Sequence, residues 1–216
     1  MLEEMARFFE NRLEEYDEHM LTCIESAEEF YPFTAACLPK KPGCRILDLG
    51  CGTGLELEAY FAVNPSARVT GIDLSAGMLA ALREKFPDKE IELVQGSYFD
   101  VPLGREVYDA AVSVESLHHF TRKEKTPLYT KLREAIAPGG YFILTDYFAP
   151  TEEEETLYRR TLLELKAQQE IEGDAFYHYD TPLTVAHETQ ALLEAGFASV
   201  ELLGQWGATC TLKAAR

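Results

Sequence analysis

The 216-residue chain has little of what marks exported, membrane-spanning or disulfide-stabilised proteins. Its five cysteines are an odd number without C-x-x-C spacing, which predicts neither a disulfide framework nor a zinc site. No apolar run approaches the length of a bilayer span, and the acidic first twenty residues lack the regions of a signal peptide. We therefore expect one soluble protein in the reducing cytoplasm, without a membrane partner.

Basic residues are also scarce. The sequence has 20 Lys and Arg against 37 Asp and Glu, a formal net charge of −17. The mean electrostatic field of such an acidic surface repels phosphate polyanions. Because the one local basic cluster is residues 122–125, the charge argues against nucleic acid as a partner. An acidic surface also serves solubility, so charge alone assigns no function.

Apolar periodicity predicts a helical N-terminal cap, residues 1–40, followed by one domain, residues 41–216, in which strands and helices alternate. The predicted strands are residues 45–50, 68–73, 91–95, 108–114, 141–147, 200–203 and 208–212. The predicted helices are residues 53–63, 75–86, 122–137, 151–171 and one ending at Gly196. Such alternation requires parallel strands with right-handed crossovers. The short 204–207 connection permits only an antiparallel last pair. We expect a Rossmann-like, doubly wound α/β sheet of seven strands with the last strand reversed.

The most informative segment is residues 46–54, where apolar strand residues lead into Gly50, Gly52 and Gly54. Glycine has no Cβ, so a ligand can approach the backbone of such a loop closely. A nicotinamide fingerprint needs Gly or Ala at its third site, but Leu55 stands there. The loop therefore predicts a nucleotide-like ligand of another kind.

With Asp48 two residues before its first glycine, this loop resembles motif I of the class I S-adenosylmethionine (SAM)-dependent methyltransferases. The resemblance covers roughly residues 40–214: residues 71–75 resemble the post-I motif, and residues 112–120 resemble motif IV. It implies SAM as cofactor and S-adenosylhomocysteine as product. Asp48 would then face the cationic end of the methionine portion, and Asp73 would accept both ribose hydroxyls.

The resemblance also implies a wider set of contacts, in which Leu74 and Met78 flank the adenine. The implied cofactor-binding residues are Asp48, Gly50, Cys51, Gly52, Gly54, Asp73, Leu74, Met78, Ser97, Tyr98, Val114 and Glu115. The chain departs from the family at Ser97, where many relatives carry an acid that receives the adenine amino group. A serine hydroxyl accepts only a neutral, weaker hydrogen bond, so Tyr98 or a backbone group can share this contact.

Candidate proton-handling residues cluster near the predicted strand ends. They are His118, His119, Tyr147, Asp146 and Glu115, and each has a purely structural role as its alternative. Adjacent residues on a helical turn point about 100° apart, so we expect the histidine pair not to share one ligand and no metal to bind. The aromatic cap predicts an apolar pocket wall, with Tyr16, His19, Tyr177 and Tyr179 touching the acceptor.

The favoured function is methyl transfer from SAM to an O, N or S atom of a small-molecule acceptor. One alternative is a catalytically silent module that binds SAM or S-adenosylhomocysteine. Another is suggested by residues 181–197 and Trp206, which resemble the tail of the carboxy-SAM synthases of tRNA modification. Those enzymes use an arginine before this tail, and residues 166–173 contain none. The acceptor, and whether the chain is a monomer or a homodimer, stay open.

Overall fold

Strands and helices alternate after the first 40 residues of the computed structural model, which describes residues 1–173 and 175–216. The helices are α1 (Met5–Glu10), α2 (Tyr16–Cys23), α3 (Ala27–Cys37), α4 (Leu55–Val63), α5 (Ala76–Lys85), α6 (Arg122–Ala135), α7 (Glu152–Gln168) and α8 (Val185–Glu194). The strands are β1 (Arg45–Leu49), β2 (Arg68–Asp73), β3 (Ile91–Gln95), β4 (Tyr108–Val114), β5 (Ile136–Tyr147), β6 (Ser199–Trp206) and β7 (Thr209–Ala215).

The seven strands form one sheet in the order β3-β2-β1-β4-β5-β7-β6. Neighbouring strands from β1 to β5 pair in parallel, whereas β7 pairs antiparallel with both β5 and β6. The predicted Rossmann-like sheet with a reversed last strand is therefore confirmed. Both faces of the sheet are buried, because parallel sheets carry their crossover helices on both sides.

The strand β5 shows how one strand serves both layers. Phe142 and Leu144 are buried with residues of α6 and α8, and Ile143 between them is buried with residues of α3 and α4. This alternation is the two-residue period of a strand. A core on each side of the sheet fixes the sheet between two helical layers.

Several predicted boundaries were wrong: the helix predicted over 151–171 ends at Gln168, the last two strands are longer than predicted, and two further differences have a clear cause. The helix predicted to reach residue 137 ends at Ala135, and β5 begins at Ile136 with a bulge over residues 137–140. Gly140 allows the bulge, since a Cβ there would lie 2.5 Å from the carbonyl oxygen of Asp109. The final hairpin turns at residues 207 and 208 rather than over 204–207, and Gly207 takes the positive φ of +55° that a tight turn needs.

The N-terminal helices α1 and α2 lie over the carboxyl edge of the sheet, whereas α3 packs with α4 on one face of the sheet. The chain before α1 is tied to the segment after α7, because Met5 donates its N–H to the carbonyl of Phe176 over 3.0 Å and His178 donates to Glu3 over 2.9 Å. Within the described residues, no helix is both long and apolar enough to cross a membrane. The cap thus consists of the first helices together with residues 175–182.

A buried ion pair joins α6 to α8. Nζ of Lys125 lies 2.6 Å from the carboxylate of Glu188, and both side chains are about 1% exposed. The hydroxyl of Tyr129 donates to the second oxygen of the same carboxylate. Because charges removed from water cost several kcal/mol each, this packing is stable only while both partners are present.

We expect Glu188→Ala to lower the free energy of unfolding by about 3–5 kcal/mol, because it leaves the Lys125 ammonium buried and unpaired. Urea unfolding should show a lower midpoint at an unchanged slope. The double variant Lys125→Met, Glu188→Leu should recover much of the loss, since no charge then stays buried.

The matched control is Glu164→Ala on α7. Its partner Arg160 lies 3.7 Å away, and the two side chains are 60% and 65% exposed, so the unfolding midpoint should hardly move. Equal midpoints for Glu188→Ala and Glu164→Ala would show that the buried pair contributes no stability.

Candidate active site

The candidate site lies where the carboxyl ends of the parallel strands meet. There a glycine loop follows β1, Asp73 ends β2, and Glu115 follows β4. Strand order reverses between β1 and β4, because β2 and β3 continue beyond β1 while β5 continues beyond β4. Open α/β sheets bind ligands in the crevice at such a reversal.

The glycine loop between β1 and α4 presents bare backbone to this crevice. Gly50, with φ +72°, donates its N–H to the carbonyl of Ile72 over 2.9 Å, and a Cβ on it would collide with the side chain of Ser116. Gly52, with φ +48°, is different, because a Cβ there would meet nothing until the ring of Tyr16, 3.8 Å away. A ligand can therefore lie against the loop at Gly52.

Asp73 holds the loop in place from the end of β2. One carboxylate oxygen accepts the N–H of Gly52 over 3.0 Å, and the other accepts the N–H of Ser75 over 2.8 Å. Burial raises the pKa of Asp73, and these backbone hydrogen bonds oppose the rise. Each oxygen keeps a further lone pair, so the group can still accept hydroxyl donors from a ligand.

A smaller cavity of about 50 Å³ lies between the glycine loop and the cap. Seven of the predicted cofactor residues line it: Gly50, Gly52, Asp73, Leu74, Met78, Tyr98 and Glu115. Met5, Phe9 and Tyr16 of the cap close it from above. Ligand pockets usually measure about 300–1,000 Å³, so the cap has to shift before a nucleotide-sized ligand can enter.

Polar contacts hold the cap in this closed position. One carboxylate oxygen of Glu10 accepts from the N–H of Gly77 and from the hydroxyl of Ser75, each over 3.1 Å. Asp17 pairs with Lys85 over 2.7 Å. Polar contacts of this kind contribute about 1 kcal/mol or less each, and the buried Met5 and Met20 of the cap add apolar packing.

Asp48 was predicted to face the cationic end of the ligand, but it lies behind the loop and is 1% exposed. Its Oδ2 and Oε1 of the buried Glu56 receive no donor from the rest of the described chain, and the two carboxyl groups face each other. Burial is the main cause that raises the pKa of both carboxyl groups, and for Asp48 the charge of Glu56 and a hydrogen bond with it add to the rise. Neither group lines either cavity.

The other predicted cofactor residues are Cys51, Gly54, Ser97 and Val114, and they do not line the smaller cavity. Cys51 is buried against Gly71 on β2. The hydroxyl of Ser97 accepts the N–H of Phe99 over 3.2 Å, so it is engaged within its own turn. These side chains shape the loop and strand ends rather than the cavity surface.

A larger cavity of about 620 Å³ adjoins the smaller one. Four residues line both: Phe9, Tyr16, Glu115 and His119. Its far wall includes Tyr147 of β5 and Trp206 of β6, so the reversed hairpin contributes to the site. Ligands in the two cavities would meet at the shared side chains.

Glu115 stands at the junction in a strained conformation. Its φ of +47° is rare for a residue with a Cβ, and such backbone strain often accompanies function. Burial raises the pKa of Glu115 to about 7, although the positive charge of His118 opposes the rise. The hydroxyl of Thr209 donates to the carboxylate over 3.2 Å. At neutral pH this carboxyl group can both accept and release a proton.

His118 forms a buried pair with Asp146. The Nδ1 of His118 lies 2.5 Å from Asp146, whose other oxygen accepts the N–H of Leu117 over 2.9 Å. Burial lowers the pKa of His118, but the carboxylates of Asp146, Glu115 and Asp180 outweigh it and raise the pKa to about 9. Asp146 does not line either cavity and orients His118 from behind, so it cannot touch a ligand directly.

His119 lines both cavities and stays neutral. Burial and the charge of His118 lower the pKa of His119 to about 4, against the opposing effect of Asp180. Its Nδ1 lies 3.2 Å from Asp180 without hydrogen-bond geometry. The two histidines occupy a short turn, Leu117–His119, with ring centroids 4.0 Å apart. The expectation that they would not face one group was wrong, because both reach Asp180.

Of the four predicted substrate residues, two line the larger cavity and two do not. Tyr16 and His19 line the larger cavity, as does the predicted catalytic residue Tyr147, whose hydroxyl lies 2.9 Å from that of Tyr158. Tyr177 and Tyr179 do not line it in the described part of the chain, whereas His178 and Asp180 do. Alternate residues of an extended segment face opposite sides. The two tyrosines favoured from the sequence face away from the larger cavity.

Several residues that line the cavities were not predicted, among them Asp180, Ser116 and Phe9. Asp180 carried a usable signal, because it shares the two-residue spacing of His178. Ser116 and Phe9 carried none, since their positions depend on how the motif IV turn and the cap pack on the glycine loop.

Comparison with known proteins gives one family model, a methyltransferase domain, which matches residues 46–140. The matched span begins in β1 and ends in the bulge of β5, so it includes the glycine loop, Asp73 and Glu115. Most of the smaller cavity thus lies within the matched part of the chain.

Several curated relatives and solved structures are similar to this chain. Carboxy-S-adenosyl-L-methionine synthase of Wolinella succinogenes is 28% identical over 94% of this chain and 88% of that protein. The tRNA (carboxymethyluridine(34)-5-O)-methyltransferase of Arabidopsis thaliana is 32% identical over 66% of this chain, and the matched part is 34% of that protein. The chain spans about a third of the length of several such relatives. A solved complex of DhpI with SAM and HEP has a TM-score of 0.72 at 23% identity, covering 97% and 95% of the two chains, which shows a shared fold.

We expect Glu115 to titrate near pH 7, well above the ordinary 4.5 of a glutamate, because burial disfavours its charged form. Carbon-13 NMR of glutamate-labelled protein should show one carboxyl signal with this midpoint. The signal should vanish in Glu115→Gln and persist in Glu25→Gln, which changes an exposed acid of the larger cavity. A wild-type spectrum without that midpoint, or its persistence in Glu115→Gln, would contradict the assignment.

Proposed function

We propose that this chain, which belongs to the class I SAM-dependent methyltransferases, transfers the methyl group of SAM to a small molecule bound in the larger cavity. The observation that carries the proposal is the junction of the two cavities at Phe9, Tyr16, Glu115 and His119. Methyl transfer needs donor and acceptor atoms within about 3–3.5 Å and in line. Two adjoining cavities supply that alignment.

The residues around the smaller cavity fit SAM. Gly52 leaves room for a ligand against the loop, and Asp73 has free lone pairs for ribose hydroxyls. Asp48 and Glu56 lie buried behind the loop, where the cationic amino group of the methionine portion would favour their charged forms. When bound, SAM supplies a methyl group activated on a positively charged sulfur. The carboxyl groups of Asp73 and Glu115, which line this cavity, would then lie near the positive sulfur.

Glu115 is proposed as the group that takes a proton from the acceptor. A general base works best with a pKa near the working pH, and the pKa of about 7 at the cavity junction meets this condition. His118, with its pKa of about 9, keeps its proton at neutral pH and orients the site. Neutral His119 can hold the acceptor by a hydrogen bond.

The charge of the larger cavity favours a neutral or cationic acceptor. Its acidic residues are Glu15, Glu25, Glu115 and Asp180. Its one arginine, Arg12, already pairs with Glu3 over 3.1 Å and lies over the ring of Phe8. Tyr16 and Trp206 add aromatic surface that attracts cations. A volume of about 620 Å³ suits a metabolite.

We expect Asp73→Ala to weaken SAM binding by about 1.5–3 kcal/mol, the usual loss when hydrogen bonds to a charged group are removed. Calorimetry should then show a dissociation constant roughly 10–100-fold higher. Asp88→Ala, an exposed aspartate after α5, is the control and should bind SAM as the wild type does. Unchanged affinity in a folded Asp73→Ala variant would remove Asp73 from the binding site.

Methyl transfer is tested with labelled SAM and two acceptor pools, a small-metabolite extract and total tRNA. We expect label in the metabolite fraction, and we expect Glu115→Gln to reduce its rate by about 10²–10⁴-fold, the usual contribution of a general base. SAM affinity should change much less, because the glycine loop and Asp73 are intact.

Glu25→Gln is the matched control, since it removes a carboxylate of the same cavity away from the junction and should keep nearly full activity. Efficient labelling of tRNA alone would overturn the small-molecule proposal. A Glu115→Gln rate equal to that of Glu25→Gln would leave the transfer intact but remove Glu115 from proton handling.

A further inference from the structure

Three potential metal ligands converge at the floor of the larger cavity. Oδ1 of Asp180 lies 3.2 Å from Nδ1 of His119 and 3.6 Å from Nε2 of His118. All three atoms lie within 4.8 Å of one another. Ligands bound at about 2.0–2.2 Å around one tetrahedral or octahedral ion are separated by about 3.0–3.6 Å. The side chains need only small adjustments to surround an ion.

The contact of His119 with Asp180 leaves this nitrogen poorly satisfied. Its side chain is 5% exposed, and the only partner of its buried Nδ1 among the described residues is Asp180, 3.2 Å away and outside good hydrogen-bond geometry. Buried polar atoms are nearly always well paired, so an ion between the two side chains would improve the pairing. A neutral imidazole nitrogen aimed at a carboxylate is the state in which histidine binds metals.

His118 has the environment of a metal ligand as well. Its far nitrogen, Nδ1, lies 2.5 Å from Asp146, which is itself fixed by the N–H of Leu117. Metal-binding histidines usually donate their other ring N–H to such a carboxylate, which orients the ring and makes the binding nitrogen more basic. The near nitrogen, Nε2, faces Asp180, and an ion that binds there displaces the proton that His118 otherwise keeps at neutral pH.

The backbone explains why Asp180 meets two histidines that lie about 60 positions earlier in the chain. The tight turn Leu117–His119 places the two imidazole rings side by side, with an interplanar angle of 55°. The N–H of Thr181 donates to the carbonyl of His118 over 2.8 Å, which fixes the neighbouring Asp180 beside the rings. The expectation of no metal considered spacing along the chain and omitted Asp180.

We propose that His118, His119 and Asp180 bind one divalent transition-metal ion at the floor of the larger cavity. Two imidazoles and one carboxylate on one side of an ion are a known ligand set for such metals and leave positions open to other ligands. The open positions face the cavity, where an oxygen or nitrogen of a small molecule can complete the coordination. The proposal goes beyond methyl transfer and does not require it.

The test uses Co²⁺ as probe on the full-length, untagged chain after removal of metals with a chelator, without SAM or acceptor. We expect a visible ligand-field absorption that saturates at one Co²⁺ per chain and is displaced by Zn²⁺. Asp146→Asn removes only the group that orients His118 and should weaken binding about 10–100-fold. Asp180→Asn removes a ligand and should weaken it further.

Asp180 is 43% exposed, so Asp180→Asn should fold, and circular dichroism checks this. His187→Gln is the control, because His187 pairs with Glu155 on α7 and should leave Co²⁺ binding unchanged. No saturable absorption in the wild type, or equal binding by wild type and folded Asp180→Asn, would overturn the proposal. Because no methyl transfer is measured, either result leaves the proposed enzyme function standing.

Discussion

The removal of several carboxyl groups from water at one sheet edge is the constraint to which the site responds. These groups are Asp48, Glu56, Asp73, Glu115 and Asp146, and the partly exposed Asp180 lies beside them. An unpaired buried charge costs several kcal/mol, so each group needs a donor, a counter-charge or a proton. The hydrogen bonds and ion pairs at this edge of the sheet meet that requirement.

The hydrogen-bond partners and neighbouring charges differ from one carboxyl group to the next, and these differences suggest a role for each group. Asp73 is satisfied by backbone N–H groups, and Asp146 is satisfied by Leu117 and His118, so both serve as fixed supports. His118 and His119 hold Asp180 in its charged form and lower its pKa to about 2, despite burial. Glu115 has mainly a threonine hydroxyl and the distant charge of His118, which leaves its proton exchangeable near neutrality. Among the buried acids that line the cavities, Glu115 is the least satisfied, and we propose that the chemistry that moves protons belongs there.

The fold and the binding loop could be predicted because their signals are local. Gly50 and Gly52 need positive φ, the alternation of strands and helices sets the sheet, and the short final link forces the reversed strand. The features that the sequence did not predict depend on packing between segments that are distant in the chain. The β5 bulge requires Gly140 against Asp109, and Asp180 reaches the histidines through a hydrogen bond from Thr181. Sequence periodicity predicts that such segments exist, but not which of their faces meets the site.

In the proposed function, the cap and the buried acids act on the same ligand. Tyr16 and Phe9 take up the space above Gly52, and Asp73 below is hydrogen-bonded to the loop. A sulfonium or ammonium group that enters this space once the cap shifts supplies a positive charge opposite the buried acids. The same negative field that favours such a cation repels a phosphate backbone. Under that proposal, one electrostatic arrangement favours the cofactor and, through the shared junction at Glu115, restricts the acceptor.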